Sequence, residues 1–188
     1  VLPENLASSL QREELPSQAS QLTEFRVADR NGATRHLFDC DEPVLLYFVY
    51  RVYRPVSGLY GYLQINKPDQ TAVLVSDSKD CGVNRMGELG PGDHEFQIEL
   101  PPRSLAPGEY NVYLNFTAPS HIGGNIDSPR VVAGFRLEDN RSVRGNSRGG
   151  FFSMLLPWQR IGLDMAMVLE GASEHRLPPA NKETEKDA

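Results

Sequence analysis

The chain has little of what most enzyme sites and secreted scaffolds are built from. It holds two cysteines, Cys40 and Cys81, in 188 residues. That is too few for a disulfide framework, and it favours a reducing compartment. Its four histidines (His36, His94, His121, His175) are scattered, with no spacing that suits tetrahedral zinc. Arg144-Gly-Asn-Ser-Arg-Gly-Gly150 is glycine-rich and basic but lacks the Gly-Lys-Ser/Thr ending of a phosphate loop, so it reads as an ordinary loop. No apolar run approaches the ~20 residues of a membrane helix, and the first residues lack the basic start and apolar middle of a signal peptide. Basic excess is absent too. The 19 Lys and Arg stand against 25 Asp and Glu, a net charge of -6 that argues against nucleic acid as a partner. A cytoplasmic, non-enzymatic protein with no cofactor and no metal is the expectation.

What the chain does have is a succession of short alternating runs. Residues 1 to 22 are rich in Ser, Gln and Glu and are broken by Pro3 and Pro16, which reads as a linker. From there strands are predicted at 25–27, 44–54, 59–66, 71–75, 94–100, 109–117, 131–138 and 151–157. Between them lie Asn31-Gly32, Pro68-Asp69, Gly90-Pro91-Gly92-Asp93 and Pro107-Gly108, all turn formers. Many short strands without alternating helices make an all-β protein, an antiparallel β-sandwich of immunoglobulin-like or jelly-roll type. The domain is placed at residues 23–170. Residues 171–188 are charged and proline-broken, the composition of a disordered tail. The acids Asp39, Asp41 and Glu42 read as a solvated turn before Pro43.

One stretch breaks the pattern. LYFVYRVYRPVSGLYGYLQI, residues 46 to 65, holds five of the seven tyrosines. Successive strand side chains point to opposite faces. One face of the first run is then ordinary core (Leu46, Phe48, Tyr50, Val52), while the other presents Tyr47, Val49, Arg51 and Tyr53. The same period puts Tyr60, Tyr62 and Gln64 outside in the next run, then Asn111, Tyr113 and Asn115, and finally Arg136 with Val131, Ala133, Phe135 and Leu137 as its core set. Tyr, Arg, Asn and Gln are the mixture that suits a sugar. Aromatic rings cover its C–H face, and amides and guanidinium groups meet its hydroxyls. The candidate carbohydrate-binding residues are therefore Tyr47, Arg51, Tyr53, Tyr60, Tyr62, Gln64, Tyr113, Asn115 and Arg136, taken as one sheet face. The arginines near that face point to an anionic group on the ligand. The same residues also suit cross-strand pairing or a subunit interface.

Several landmarks, in order, carry a resemblance. They are Phe25-Arg-Val27 followed by Asn31-Gly32, Asp41-Glu-Pro-Val44 leading to Tyr50-Arg-Val52, and Gly61-Tyr-Leu63. After these come Leu89-Gly-Pro-Gly92, Leu105-Ala-Pro-Gly-Glu-Tyr110-Asn-Val112 and Leu155-Leu-Pro-Trp158. Over about residues 23 to 160 the chain resembles the C-terminal domain of the Wzt-type ATP-binding subunit of bacterial O-antigen polysaccharide ABC transporters. The resemblance implies a β-sandwich that binds the finished O-antigen polysaccharide near its non-reducing end and couples chain completion to export. It further implies a homodimer with exchanged terminal strands, and partners in an ATPase domain and a membrane subunit. The setting would be the cytoplasmic face of the inner membrane. Two departures stand out. Asn66-Lys-Pro-Asp-Gln70 replaces a turn that usually ends in Gly, and an apolar extension at 161–169 follows Trp158 and reads as an extra strand. A structural dimerisation domain, or a carbohydrate module of a secreted glycosidase, are the competing readings.

Overall fold

A computed structural model describes residues 7–119 and 126–161. The chain divides into two compact units, Val1–Met154 and Leu155–Ala188. Over its described residues the first is a two-sheet sandwich of nine strands: β1 (Ser9–Gln11), β2 (Ser20–Ala28), β3 (Leu37–Asp39), β4 (Val44–Val52), β5 (Tyr60–Asn66), β6 (Ala72–Asp77), β7 (Gly92–Leu100), β8 (Gly108–Thr117) and β9 (Asp127–Glu138). One sheet has the order β1-β2-β4-β7 and the other β3-β9-β8-β5-β6. Every pairing is antiparallel except β3 with β9, which is parallel. The described part of the second unit, Leu155–Ile161, carries no strand and is exposed throughout.

The alternation in the sequence produces the core. Leu46, Phe48, Tyr50 and Val52 of β4 are buried while Tyr47, Val49 and Arg51 between them are half-buried. Across the sandwich Leu63, Ile65, Val112, Leu114 and Phe116 meet them. The Tyr50 and Phe116 rings approach to 4.3 Å and Phe48 stacks on Phe96 at 5.1 Å. Each such side chain contributes about 1.5–3 kcal/mol by leaving water. Tyr50 keeps its hydroxyl satisfied inside the core against Ser20 Oγ at 3.0 Å, and burial pushes that phenol well above its usual range.

The sequence reading needs correction in four places. The stretch expected as a linker enters the sheet: β1 pairs with β2, and Arg12 is pinned by a buried carboxylate, donating from Nη1 to Asp127 at 2.6 Å and to the Leu22 carbonyl at 2.9 Å. Strand β3 is too short to be read from sequence and is held mainly by its parallel partner. Residues 151–157 form no strand. Their one ladder-like bond runs from Ala106 N to the Phe151 carbonyl (2.9 Å), and Pro157 has no N–H to offer. Finally, Val132 is an extra residue between the Val112–Ala133 and Tyr113–Val131 pairs. This bulge buries Val132 and turns Val131 to the outside, against the period-2 expectation. The tail at 171–188 and the extension after Ile161 lie outside the described residues.

The two long edges of the sandwich differ. At one, residues 7–12 bridge the sheets: Gly134 N donates to the Ala7 carbonyl (3.1 Å) and Val27 N to the Ser8 carbonyl (2.8 Å). At the other, β6 and β7 are both terminal in their sheets. A cleft of about 370 Å³ opens there, lined by Phe48, Leu63, Met86, Phe96 and Phe116 and rimmed by Asp80 and Arg85.

Candidate functional site

The nine predicted residues do not form one surface. Tyr47 and Arg51 lie on β4 in the four-stranded sheet, whereas Tyr60, Tyr62, Gln64, Tyr113, Asn115 and Arg136 lie on β5, β8 and β9 in the five-stranded sheet. The outward sides of the two sheets face opposite ways, with the core between. Sequence periodicity assigns a side chain to a face of its own strand but says nothing about which sheet that strand joins. Tyr53 belongs to neither face: it follows β4, and its hydroxyl reaches Gln21 Oε1 at 3.4 Å.

On the five-stranded sheet the register brings the predicted residues together. Tyr62 sits opposite Asn115, Gln64 opposite Tyr113, and Asn66 opposite Asn111. The Tyr62 and Tyr113 rings meet edge to face, with centroids 6.4 Å apart and an interplanar angle of 82°. Burial and the neighbouring Tyr62 push the Tyr113 phenol up. Tyr62 donates its hydroxyl to Gln64 Oε1 (3.1 Å), and Gln64 Nε2 donates to Asn66 Oδ1 (2.7 Å). An ordered row of tyrosines and amides results. Within it Asn115 Oδ1 is buried and has no hydrogen-bond partner among the described residues, which is costly unless something else supplies a donor. Asn66 and Asn111 complete the row although neither was among the predicted site residues; the alternation that placed Asn115 outside puts Asn111 on the same side, yet both Asn66 and Asn111 are buried. Two predicted residues sit apart. Lys79 caps the Tyr60 ring at 3.6 Å. Arg136 stands opposite Glu109, four residues along β8 from Tyr113 or about 13 Å, and pairs with Glu109 (3.4 Å) and Glu138 (2.9 Å).

The outward side of the four-stranded sheet is a groove of about 530 Å³ lined by Ser9, Gln11, Glu24, Arg26, Tyr47 and Glu95, among others. Arg26 lies over the Tyr47 ring at 4.2 Å and donates to the Gly32 carbonyl at 2.6 Å. Arg51 is engaged by both Asp93 and Glu14, and these partners raise its basicity further. The expected recognition of an anionic group through Arg51 or Arg136 loses its support, because both guanidinium groups already hold carboxylates. Sequence reasoning missed Glu24, Arg26 and Glu95 because the alternation was not extended to β2 and β7. Among the described residues no group of three His, Cys, Asp or Glu is placed to hold a metal ion.

No protein-family model matches the sequence, and no curated protein matches it. Among solved structures the fold is similar to one described as the C-terminal domain of Wzt. The TM-score is 0.61 at 11% sequence identity, over 84% of this chain and 89% of that one. The fold is thus the all-β sandwich that the sequence resemblance implied.

Proposed function

We propose that this chain is a non-catalytic carbohydrate-recognition domain of a polysaccharide ABC transporter, engaging the non-reducing end of an O-antigen polysaccharide. The observation that carries the reading is the tyrosine–amide row of the five-stranded sheet. Tyr62 and Tyr113 offer ring surface and Gln64 a half-buried amide beside them, while Asn66, Asn111 and the Asn115 acceptor, which has no partner among the described residues, are buried within the row. A sugar needs ring and amide groups side by side on one face. In this reading the domain works beside an ATPase domain and a membrane subunit at the cytoplasmic side of the inner membrane, and reports chain completion to them. A homodimer is part of it. The open β6 and β7 edges with their apolar cleft, and the exposed Phe151, Phe152, Leu156 and Trp158, are surfaces a second copy would cover.

The test is titration of the purified chain with O-polysaccharides from a panel of serotypes. A shallow face buries little ligand, so the matching glycan is expected to bind with a dissociation constant on the order of micromolar to millimolar. Tyr62→Ala and Tyr113→Ala are expected to cost about 1–3 kcal/mol of affinity and about 1 kcal/mol of stability, since the two rings pair with each other. If no glycan binds at millimolar concentration, the reading fails. If glycans bind but both variants bind normally, the platform assignment fails and glycan recognition stands.

A further inference from the structure

The tyrosine–amide platform has apolar flanks and almost no charge. In register across the five-stranded sheet stand Val75 on β6, Gln64 on β5, Tyr113 on β8 and Val131 on β9. Val75 is 55% exposed on the edge strand. Val131 is half-buried and faces outward only because the bulge at Val132 turns it there, and bulges recur where a strand re-aims a side chain. Between the valines the polar centre is small. Gln64 uses one N–H on Asn66 Oδ1 (2.7 Å) and accepts the Tyr62 hydroxyl on Oε1 (3.1 Å), which leaves one N–H and one lone pair for a ligand. The neighbouring row is Asp77, Tyr62 and Asn115, and Asp77 is the one charged residue in the two rows. No cation shares them: Lys79 lies over the Tyr60 ring, Arg136 is held by two glutamates, and Arg130 donates from Nε to the Ser128 carbonyl at 3.1 Å. The buried acceptor of the platform without a partner among the described residues, Asn115 Oδ1, is an uncharged amide oxygen.

We infer that the platform selects a neutral 6-deoxyhexose, a sugar with a methyl group in place of the hydroxymethyl at C6. The inference rests on the proposed function, since it takes this platform as the glycan site. A pyranose with its C–H face on the Tyr62 and Tyr113 rings meets polar partners at Gln64 and valine methyls to either side. A C6 methyl on a valine leaves water without leaving a polar group unpaired. A hydroxymethyl in that place has its O–H covered with no partner. A carboxylate at C6 finds no cation and faces Asp77, so acidic sugars are rejected by charge. The anionic ligand expected from the arginines of the sequence gives way to an uncharged, methyl-bearing one.

The experiment is an NMR titration of the full chain, labelled in its valine methyls and amides. The probes are methyl glycosides in manno, gluco and galacto configuration and both enantiomeric series, each as the C6 methyl, hydroxymethyl and carboxylate. At least one 6-deoxy glycoside is expected to shift the Val75 and Val131 methyls and the Gln64 side-chain amide. It should bind about tenfold more tightly than its hydroxymethyl counterpart, with the uronate weakest. Val75→Thr/Val131→Thr keeps the β-branched shape, so the chain should stay folded while the preference falls to about twofold. The inference is overturned if in every series the hydroxymethyl or carboxylate form binds as well, or if the double Thr variant keeps the full preference. It is equally overturned if no glycoside moves these groups at about 100 mM. O-polysaccharides titrated in parallel separate the two failures. If they shift the Tyr62 and Tyr113 amides while the C6 series shows no preference, the inference falls and the platform stands. If they move nothing on this face, the platform reading falls and takes the inference with it.

Discussion

The two outward faces of this sandwich both carry tyrosines, but they differ in what surrounds them. On the four-stranded sheet charge dominates. Its outward row on β7 is Asp93, Glu95, Gln97 and Glu99, and its arginines are absorbed by carboxylates, a ring and a carbonyl. On the five-stranded sheet the centre is neutral, and tyrosines and amides hydrogen-bond to one another along β5 while facing β8. The difference teaches that an arginine beside a tyrosine is not by itself a recognition site. What matters is whether its donors are already taken.

The faces also differ in what supports them, and this gives the largest expected effect. Strand β9 is clamped at both ends by buried carboxylates. Asp127 at its start accepts from Arg12 (2.6 Å) and from Leu22 N (2.9 Å). Asp139 just beyond its end accepts from Arg103 at 2.7 and 3.1 Å. The first clamp holds β1, and with it one wall of the charged groove. Asp127→Ala leaves the Arg12 guanidinium and Leu22 N without their partner in a buried setting. It is expected to cost about 3–5 kcal/mol, read as a drop in the denaturant midpoint. If faster amide exchange is confined to residues 8–12 and 22–27 while Tyr62 and Tyr113 stay protected, the two faces have separate supports. Uniform loss across both sheets would show that they do not.

The second clamp predicts a smaller, pH-dependent effect. Hydrogen bonds from Arg103 hold the Asp139 carboxyl well below the usual carboxylate range; burial opposes them, and Ser142 adds its hydroxyl (2.5 Å) and N–H (2.9 Å). Arg103 likewise lowers the Asp41 carboxyl, through a 2.5 Å contact. A carboxylate with a depressed folded value stabilises fully above its unfolded value, near pH 4, and that contribution is lost as pH falls from there toward the folded value. Stability from urea unfolding should therefore be flat above about pH 5 and fall steeply below about pH 4. Asp139→Asn should flatten that fall and lower stability near neutral pH by about 3 kcal/mol. An unchanged acid limb would remove Asp139 as its source. The acids Asp39, Asp41 and Glu42, read from sequence as a solvated turn, include one member of this clamp.

The sequence carried much of the fold because alternation and turn chemistry are local. The core sets of β4, β5 and β8 are buried as expected. Asn31-Gly32 turns with Gly32 at φ 79° and Asp29 Oδ1 accepting from Asn31 N and Ala33 N. At Pro68-Asp69 the turn forms although glycine is missing from its end: Gln70 adopts φ 69°, and Thr71 N donates to Asp69 Oδ1. What was not legible is non-local. Strand β3 exists through a partner about a hundred residues away. A single bulge at Val132 inverts Val131. The division of the candidate residues between two sheets depends on strand order, which no period encodes. Tyr62, Gln64, Tyr113 and Asn115 were grouped together from sequence because they lie on two adjacent strands; Tyr47 and Arg51 were misgrouped because β4 pairs with β2 and β7 instead of β5.

The smallest expected effect sharpens the comparison most. Arg51 was one of the two arginines, with Arg136, that the sequence offered for a forked contact with a sugar, on a strand face that also carries Tyr47 and Tyr53. In the structure it is held from opposite sides by Asp93 on the neighbouring strand and Glu14 on the N-terminal segment. Its partners are about half exposed, so water and salt screen the pairs and they add little to stability. Arg51→Ala should thus leave the melting temperature nearly unchanged and leave O-polysaccharide affinity within about twofold, the range of an uninvolved surface position. Tyr62→Ala, on the opposite face, should lose affinity clearly under the same conditions. The same titration with both variants decides between the faces. If Arg51→Ala loses binding and Tyr62→Ala keeps it, the glycan lies on the four-stranded sheet, the two carboxylates release the guanidinium when ligand arrives, and the neutral row on the other sheet serves packing or a second subunit instead.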